Sequence, residues 1–302
     1  MSTRTRAGAL LAAASFALAA PSAALAQRGD GFPTTVGAAN GHVTIAERPT
    51  RIVVLSPTAT ETLFAIGAGR QVIAVDDQSN YPASAPQTKL SSYKPNAEAV
   101  ARYKPDLVIT STTSNKLLPA LRKLHIPALL EPSATHIGGA YQQMTQIGRA
   151  TGHAAAARRL VARLKRQLAA AVASAPEARG LSVYHELSPD YYSAASKTFI
   201  GRIYSLFGLR NIADKAVKAG NVYPQLSAEY ILASNPDIVV LSDTKCCKQS
   251  VATLKARPGW SGLAAVRNNR VVGVDDDIAS RWGPRIVEFA RVVARAVRQA
   301  GA

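Results

Sequence analysis

From His153 to Ala175 the chain offers no proline and no glycine, and that uninterrupted stretch constrains the fold more than any other. Leu160, Val161, Leu164, Leu168 and Val172 recur at helical spacing, Arg158, Arg159, Arg163, Lys165 and Arg166 crowd the other faces, and alanine, the strongest helix former, fills most of the remainder. The pattern predicts one helix between Gly152 and Pro176. Its roughly 23 residues span about 35 Å at 1.5 Å per residue, the width of a small domain. Such a helix is either a strut between two bodies or a surface helix of one large domain, and periodicity alone does not choose.

A repeat on either side of the helix favours two bodies. Residues 96–109 run Asn-Ala-Glu, then Pro-Asp at 105–106, then Leu-Val-Ile; residues 227–240 run Ser-Ala-Glu, then Pro-Asp at 236–237, then Ile-Val-Val. Glu98 and Glu229 stand at the same distance from their Pro-Asp turns, and Tyr93 and Tyr223 lie just upstream of the two copies. Each copy reads as a capped helix, a turn and a buried strand, so the duplication argues for two similar lobes. Ahead of the first copy, Arg51 to Leu55 and Val72 to Val75 are strands separated by a short helix. Thr58 or Thr60 would cap that helix, Glu61 suits its first turn, Leu63, Phe64 and Ile66 would face inward, and Gly67 with Gly69 would stop it. Strand, helix and strand imply parallel pairing, with ligands gathering beyond the carboxyl ends. Those ends are Ser56-Pro57 and the loop from Asp76 to Pro82, which carries Tyr81. The second half repeats the grammar. It has strands at Leu181 to Glu186 and Arg270 to Val274, a helix at Phe199 to Phe207, a turn at Asp275 to Asp277 and a closing helix from Ile286 to Val297, while His42 to Ile45 is a short edge strand near the start.

Arg4 and Arg6 precede an apolar run from Ala9 to Ala20, and Ala24-Leu25-Ala26 supplies the small residues at which signal peptidase cuts. A periplasmic or secreted protein is therefore expected, cleaved near Ala26, with no Cys there to carry a lipid anchor. The net charge is +17, or +15 once Arg4 and Arg6 are removed. The basic residues are scattered over helices without a DNA-binding spacing, so nucleic acid is not expected as a partner; anionic substrates or an anionic membrane surface remain open. Cys246 and Cys247 are adjacent. Their Cα atoms, about 3.8 Å apart, lie below the usual disulfide range, whereas export favours oxidation, so a vicinal disulfide and free thiols stand level.

No catalytic constellation emerges: there is no nucleophile elbow, no phosphate loop and no paired-His spacing, and no protein cofactor or resident metal is expected. What stands out is aromatic. Tyr81, Tyr93, Tyr191, Tyr192, Tyr223 and Trp282 fall in loops at strand ends, where a cleft between lobes would lie, with Arg281 and Arg285 nearby to pair with acidic groups. For any single Tyr, a half-buried loop anchor is the competing role.

The segments at 51–61 (Arg-Ile-Val-Val-Leu-Ser-Pro-Thr-Ala-Thr-Glu), 96–109 and 223–229 (Tyr-Pro-Gln-Leu-Ser-Ala-Glu) resemble, as a set, the hallmark segments of the ABC-importer substrate-binding proteins for iron chelates and vitamin B12. The resemblance covers essentially the whole mature chain. It implies an α/β fold of two Rossmann-like lobes joined by a single long rigid helix, the class III arrangement: a leader at 1–26, an N-terminal lobe at 27–137, connecting helices at 138–176 and a C-terminal lobe at 177–302. It further implies a monomeric binding protein rather than an enzyme, a chelate or tetrapyrrole as small-molecule ligand, and a permease dimer that docks on Glu98 and Glu229, which could equally be helix-dipole partners. Ser79 to Pro82, Tyr223 to Gln225 and Gly283 to Ile286 look most like the B12 binders, so a corrinoid such as cobalamin is favoured. Tyr93 and Tyr223 stand where those binders would carry Trp, which keeps haem and ferric siderophores as alternatives. An exported metal-dependent hydrolase or chelatase on the same scaffold is the rival from another class.

Overall fold

The computed structural model describes residue 1 and residues 31–176, 178 and 180–301, so the expected leader and its cleavage point near Ala26 lie outside the described residues. The described chain begins with a hairpin: β1 (Thr34–Ala38) pairs antiparallel with β2 (Gly41–Ile45), the strand expected at His42 to Ile45, in a sheet of their own. The strand β1 was not announced by the sequence. It shows only Val36 as an apolar signal, because one face alone is covered. Gly41 turns the hairpin at φ 103°, in the region that side chains avoid. Asn40 then reaches backbone groups of Ala128 and Leu130 and fastens the hairpin to the edge of the next sheet.

Two four-stranded parallel sheets follow. In the first, β3 (Ile52–Leu55), β4 (Val72–Val75), β5 (Leu107–Thr110) and β6 (Ala128–Leu130) lie in the order β4-β3-β5-β6. In the second, β7 (Ser182–Glu186), β8 (Arg210–Asn211), β9 (Ile238–Leu241) and β10 (Val271–Gly273) lie in the order β8-β7-β9-β10. The orders are equivalent, strand for strand. The repeat extends to single hydrogen bonds. The Asp106 carboxylate accepts the Arg51 N–H at 3.0 Å, 55 residues back, and Asp237 accepts the Ser182 N–H at 2.8 Å, again 55 residues back. Each Pro-Asp turn thus ties the start of the first strand in its lobe to the strand that follows the turn. The copied helices are capped alike: Asn96 accepts from Ala99 N before α2 (Ala97–Ala101) and Ser227 from Tyr230 N before α7 (Ala228–Ser234). The helix between β3 and β4 is α1 (Pro57–Ala65), and Ser56, not Thr58 or Thr60, caps it. Those threonines are already inside the helix, and the Thr60 hydroxyl donates to the Ser56 carbonyl instead of capping.

The remaining helices are α3 (Leu117–Lys123), α4 (Ile137–Ala150), α5 (Ala154–Ala173), α6 (Phe199–Leu206), α8 (Val251–Lys255), α9 (Ala264–Arg267), α10 (Asp276–Ser280) and α11 (Ile286–Gly301). The long helix α5 carries the chain from the first lobe to the second, packed between α4 and α11. Gly148 lets α4 approach it: a Cβ there would stand 2.3 Å from that of Ala157.

Alternation along the strands divides the core. Ile52, Val54, Leu107 and Ile109 point to one apolar cluster, as do Val183, Ile238 and Val240 from the other lobe, and α5 supplies Leu160, Leu164 and Leu168 to it. The opposite strand faces serve each lobe separately, with Val53, Leu55 and Val108 in one cluster and Tyr184, Val239 and Leu241 in another. The lobes therefore share their inner core. At about 1.5–3 kcal/mol per buried aliphatic side chain, the shared seam opposes hinge motion strongly.

Candidate functional site

A cleft of ≈ 380 Å³ opens at the carboxyl ends of the first sheet's strands. Its N-lobe wall is a row of hydroxyls. Ser56 and Thr58 come from the start of α1, Ser92 from the loop after β4, Ser111, Thr112 and Ser114 from the loop after β5, and Ser133 from the segment after β6. Facing them from the C-lobe are Asp277, Ser280, Arg281 and Trp282. Asp275 accepts the N–H groups of Asp277 and Ile278 and so caps α10, turning the acidic run that looked like a strand-end turn into the first turn of a helix.

The two walls are joined by charge. Glu61, 2% exposed, accepts from Arg281 at 2.9 Å and from Arg285 at 3.0 and 2.6 Å. Arg281 also donates to Asn80 Oδ1, to the Gln78 carbonyl and to Asp277 Oδ1. Both terminal nitrogens of that guanidinium are engaged with protein, and the two arginines meet Glu61 across the seam while Asp277 pairs with Arg281 within the C-lobe. Glu61, read from sequence as a first-turn acid, instead sits in mid-helix and bridges the lobes. Burial alone would raise Asp277, but hydrogen bonds from Lys245 and Asn80 and the Arg281 charge hold its carboxyl below the usual range, so the cleft keeps a carboxylate.

Of the aromatic residues expected to face a ligand, Tyr93 and Trp282 line this cleft. Tyr93 is at the rim, 76% exposed, and Trp282 is pinned by its Nε1 donating to Gln143 at 2.8 Å. Tyr81 lies beyond the Glu61 bridge, in a separate pocket with Phe64, Pro82 and Pro284, its ring 4.3 Å from the Arg285 guanidinium. Tyr192 and Tyr223 are exposed on the C-lobe and outside the cleft lining, where Tyr192 bridges to Gln225. Tyr191 stacks on Trp260 at 5.7 Å beneath Arg257, which makes it a loop anchor. Glu98 and Glu229 are exposed in the first turns of α2 and α7, at equivalent places of the two lobes. Cys246 and Cys247 are joined as a vicinal disulfide. Among the described residues, no group of three or more His, Cys, Asp or Glu is arranged to hold a metal.

The hydroxyl wall is what the sequence search passed over. Ser111 to Ser114, polar residues placed directly after a fully apolar strand, were the available signal. Behind the wall, beside Trp282 and Met144, Glu131 is buried with Oε1 unpartnered, and burial pushes its carboxyl from 4.5 up to about 8. The folded protein thus holds a proton that the unfolded chain releases near 4.5. Stability falls as pH rises from there to about 8, and the full cost is present above it. Glu131→Gln is expected to flatten that decline; urea unfolding at about pH 5 and about pH 8 measures it, and an unchanged slope would show that Glu131 does not carry the proton.

Residues 52–278 match the Periplasmic binding protein family. The chain is 30% identical over 282 residues to an uncharacterized ABC transporter substrate-binding lipoprotein of Bacillus subtilis, covering 90% of this chain and 87% of that one. It is 33% identical over 273 residues to a cobalamin-binding protein of Halobacterium salinarum, covering 87% and 73%. Among solved structures, the periplasmic heme-binding protein HutB of Vibrio cholerae superposes with a TM-score of 0.72 at 26% identity, over 82% of this chain and 98% of that one.

Proposed function

The chain belongs to the periplasmic binding protein family, a transport protein and not an enzyme, and on that premise we propose that it captures a corrinoid between its lobes and delivers it to an ABC permease. The observation that carries this reading is the chemistry of the cleft. A corrinoid is ringed by amide side chains, each both donor and acceptor, and a hydroxyl can answer either role. The wall from Ser56 to Ser133 offers seven hydroxyls besides Tyr93. The cobalt already has its own ligands, so the protein need not supply one. Haem makes the opposite demand, since its iron takes an axial His, Cys, Met or Tyr from the protein. Among the described residues, the cleft lining has no His, Cys or Met. An anionic siderophore would want free cations, and Arg281, the one arginine that the described residues supply to the lining, is neutralised by Glu61 and Asp277. Haem remains the second reading because of Tyr93, an exposed phenol at the cleft rim.

Titrating the apo protein with cyanocobalamin, haemin and a ferric siderophore, with tryptophan fluorescence and the ligand's visible spectrum as readouts, tests the assignment. Trp282 lies in the cleft lining, so quenching by cyanocobalamin with a Kd of roughly micromolar or tighter is expected. Haemin bound with a tyrosinate spectrum that Tyr93→Phe abolishes would replace the corrinoid by haem.

Delivery rests on Glu98 and Glu229, exposed, one per lobe, and placed to meet a two-fold partner as a matched pair. Reversing both to Lys is expected to abolish uptake in cells while leaving ligand affinity within about twofold, since neither residue lines the cleft. Normal uptake by the doubly reversed protein would refute the docking role.

A further inference from the structure

The internal repeat gives the cysteine pair an address. In the first lobe, the loop after β5 supplies Ser111, Thr112 and Ser114 to the cleft wall. Its counterpart after β9 is Ser242 to Lys245, and the vicinal disulfide follows immediately. The disulfide is held from two sides. On one, the Asp276 carboxylate accepts the N–H groups of Lys245 at 3.0 Å and Cys246 at 2.9 Å, with the Thr244 hydroxyl at 3.1 Å. On the other, the Asp243 carbonyl accepts the N–H groups of Cys247 and Gln249. From this turn a chain of charged bonds reaches the cleft: Lys245 Nζ donates to Asp277 at 2.6 Å, Asp277 binds Arg281, and Arg281 binds Glu61 of the opposite lobe.

We propose that the Cys246–Cys247 disulfide is a positioning element of the ligand cleft, fixing the Lys245–Cys246 turn on Asp276 so that Asp277 and Arg281 meet the ligand in one arrangement. This inference rests on the reading of the cleft as the ligand site. A disulfide between neighbours closes a small ring through the Cys246–Cys247 peptide and restricts it, holding the Cys247 N–H on the Asp243 carbonyl and so closing the turn that presents the Lys245 and Cys246 N–H groups to Asp276. The restriction favours the placement of two consecutive N–H groups on one carboxylate, because an open chain would lose more conformational entropy in reaching it. Asp276 and Asp277 are adjacent in α10, so loosening the first frees the second. Lys245 then withdraws from Asp277, and Arg281 retains Glu61 but loses a fixed partner on the C-lobe wall. A dithiol reverses the lock chemically: it gives two electrons and two protons to the S–S bond, leaving two thiols on the protein, and closes to its own disulfide. The coupling between disulfide and cleft runs through named contacts, each of which has a made and an unmade state.

The experiment compares oxidised protein with protein reduced by dithiothreitol, freed of reductant under argon and assayed for two thiols. Both are titrated with cyanocobalamin, haemin and the ferric siderophore, and their melting temperatures are recorded. Reduction is expected to weaken binding of whichever chelate the oxidised protein takes by about tenfold, within the usual range for coupled sites, and reoxidation to restore it. Asp276→Ala, with its disulfide intact, is expected to show the same loss and no further loss on reduction, because the two act through one contact. Equal affinity of the oxidised and reduced forms, or a lower melting temperature with affinity unchanged, would overturn the positioning role and leave the cleft assignment standing. Failure of the oxidised protein to bind any chelate would overturn the cleft assignment itself, and this inference with it.

Discussion

Glu61 is the group on which the arrangement of the lobes depends. It is a carboxylate, almost fully withdrawn from water, in the middle of a helix whose other inward residues are apolar or hydroxylic. Such a charge is tolerated only where partners compensate it, and Arg281 and Arg285 do so from the other half of the chain. The compensation is mutual, since Arg285 without Glu61 would be a cation stranded in the seam and Arg281 would keep only Asp277 as a charged partner. A charge cluster of this kind contributes little to net stability compared with apolar packing of the same volume. It does contribute geometry, because a bidentate contact fixes one lobe's angle against the other in a way that apolar side chains, indifferent to small slides, do not.

The rest of the molecule supports that fixed angle. The helix α5 crosses between lobes without a break, and the apolar cluster it helps to build draws from both sheets. A hinge through such a seam would have to expose Leu164 and its neighbours. On the proposed reading, ligand capture is a matter of a preformed wall of hydroxyls meeting a ligand, with limited closure, in contrast to binding proteins whose lobes hang on flexible strands. The same rigidity suits the delivery proposed above. Glu98 and Glu229 sit on separate lobes, and a permease docking on the pair as proposed would need lobes that do not drift.

The architecture was legible in the chain, and for particular reasons. Buried parallel strands show as unbroken apolar runs, so Ile52 to Leu55 and Ile238 to Leu241 announced themselves, and the doubled Pro-Asp turns carried the repeat because an Asp there has a structural task in each lobe. The family resemblance joined these pieces into two lobes and a connector. Of the hairpin β1–β2 only β2 was legible; β1 was not, since a strand covered on one face leaves a single apolar mark. The site was legible only in part. Of the aromatics picked out for their rarity, Trp282 and Tyr93 line the candidate cleft, whereas the Tyr191 ring is spent on Trp260. Hydroxyls are common and carry no such signal, so the wall they form was missed. The role of Glu61 could not be seen at all: its partners are more than two hundred residues away, and no local pattern marks a residue whose meaning is entirely tertiary.

The central claim, that the cleft is set before the ligand arrives, is tested most directly by a distance between the lobes. Spin labels at the exposed residues Arg102 and Lys255, attached by a non-thiol chemistry that spares Cys246 and Cys247, would report it by pulsed electron resonance in the free and ligand-saturated protein. A single narrow distribution whose maximum moves by about 1 Å or less on binding is the expected result. A broad or two-peaked distribution in the free protein, collapsing to a shorter distance with ligand, would contradict it.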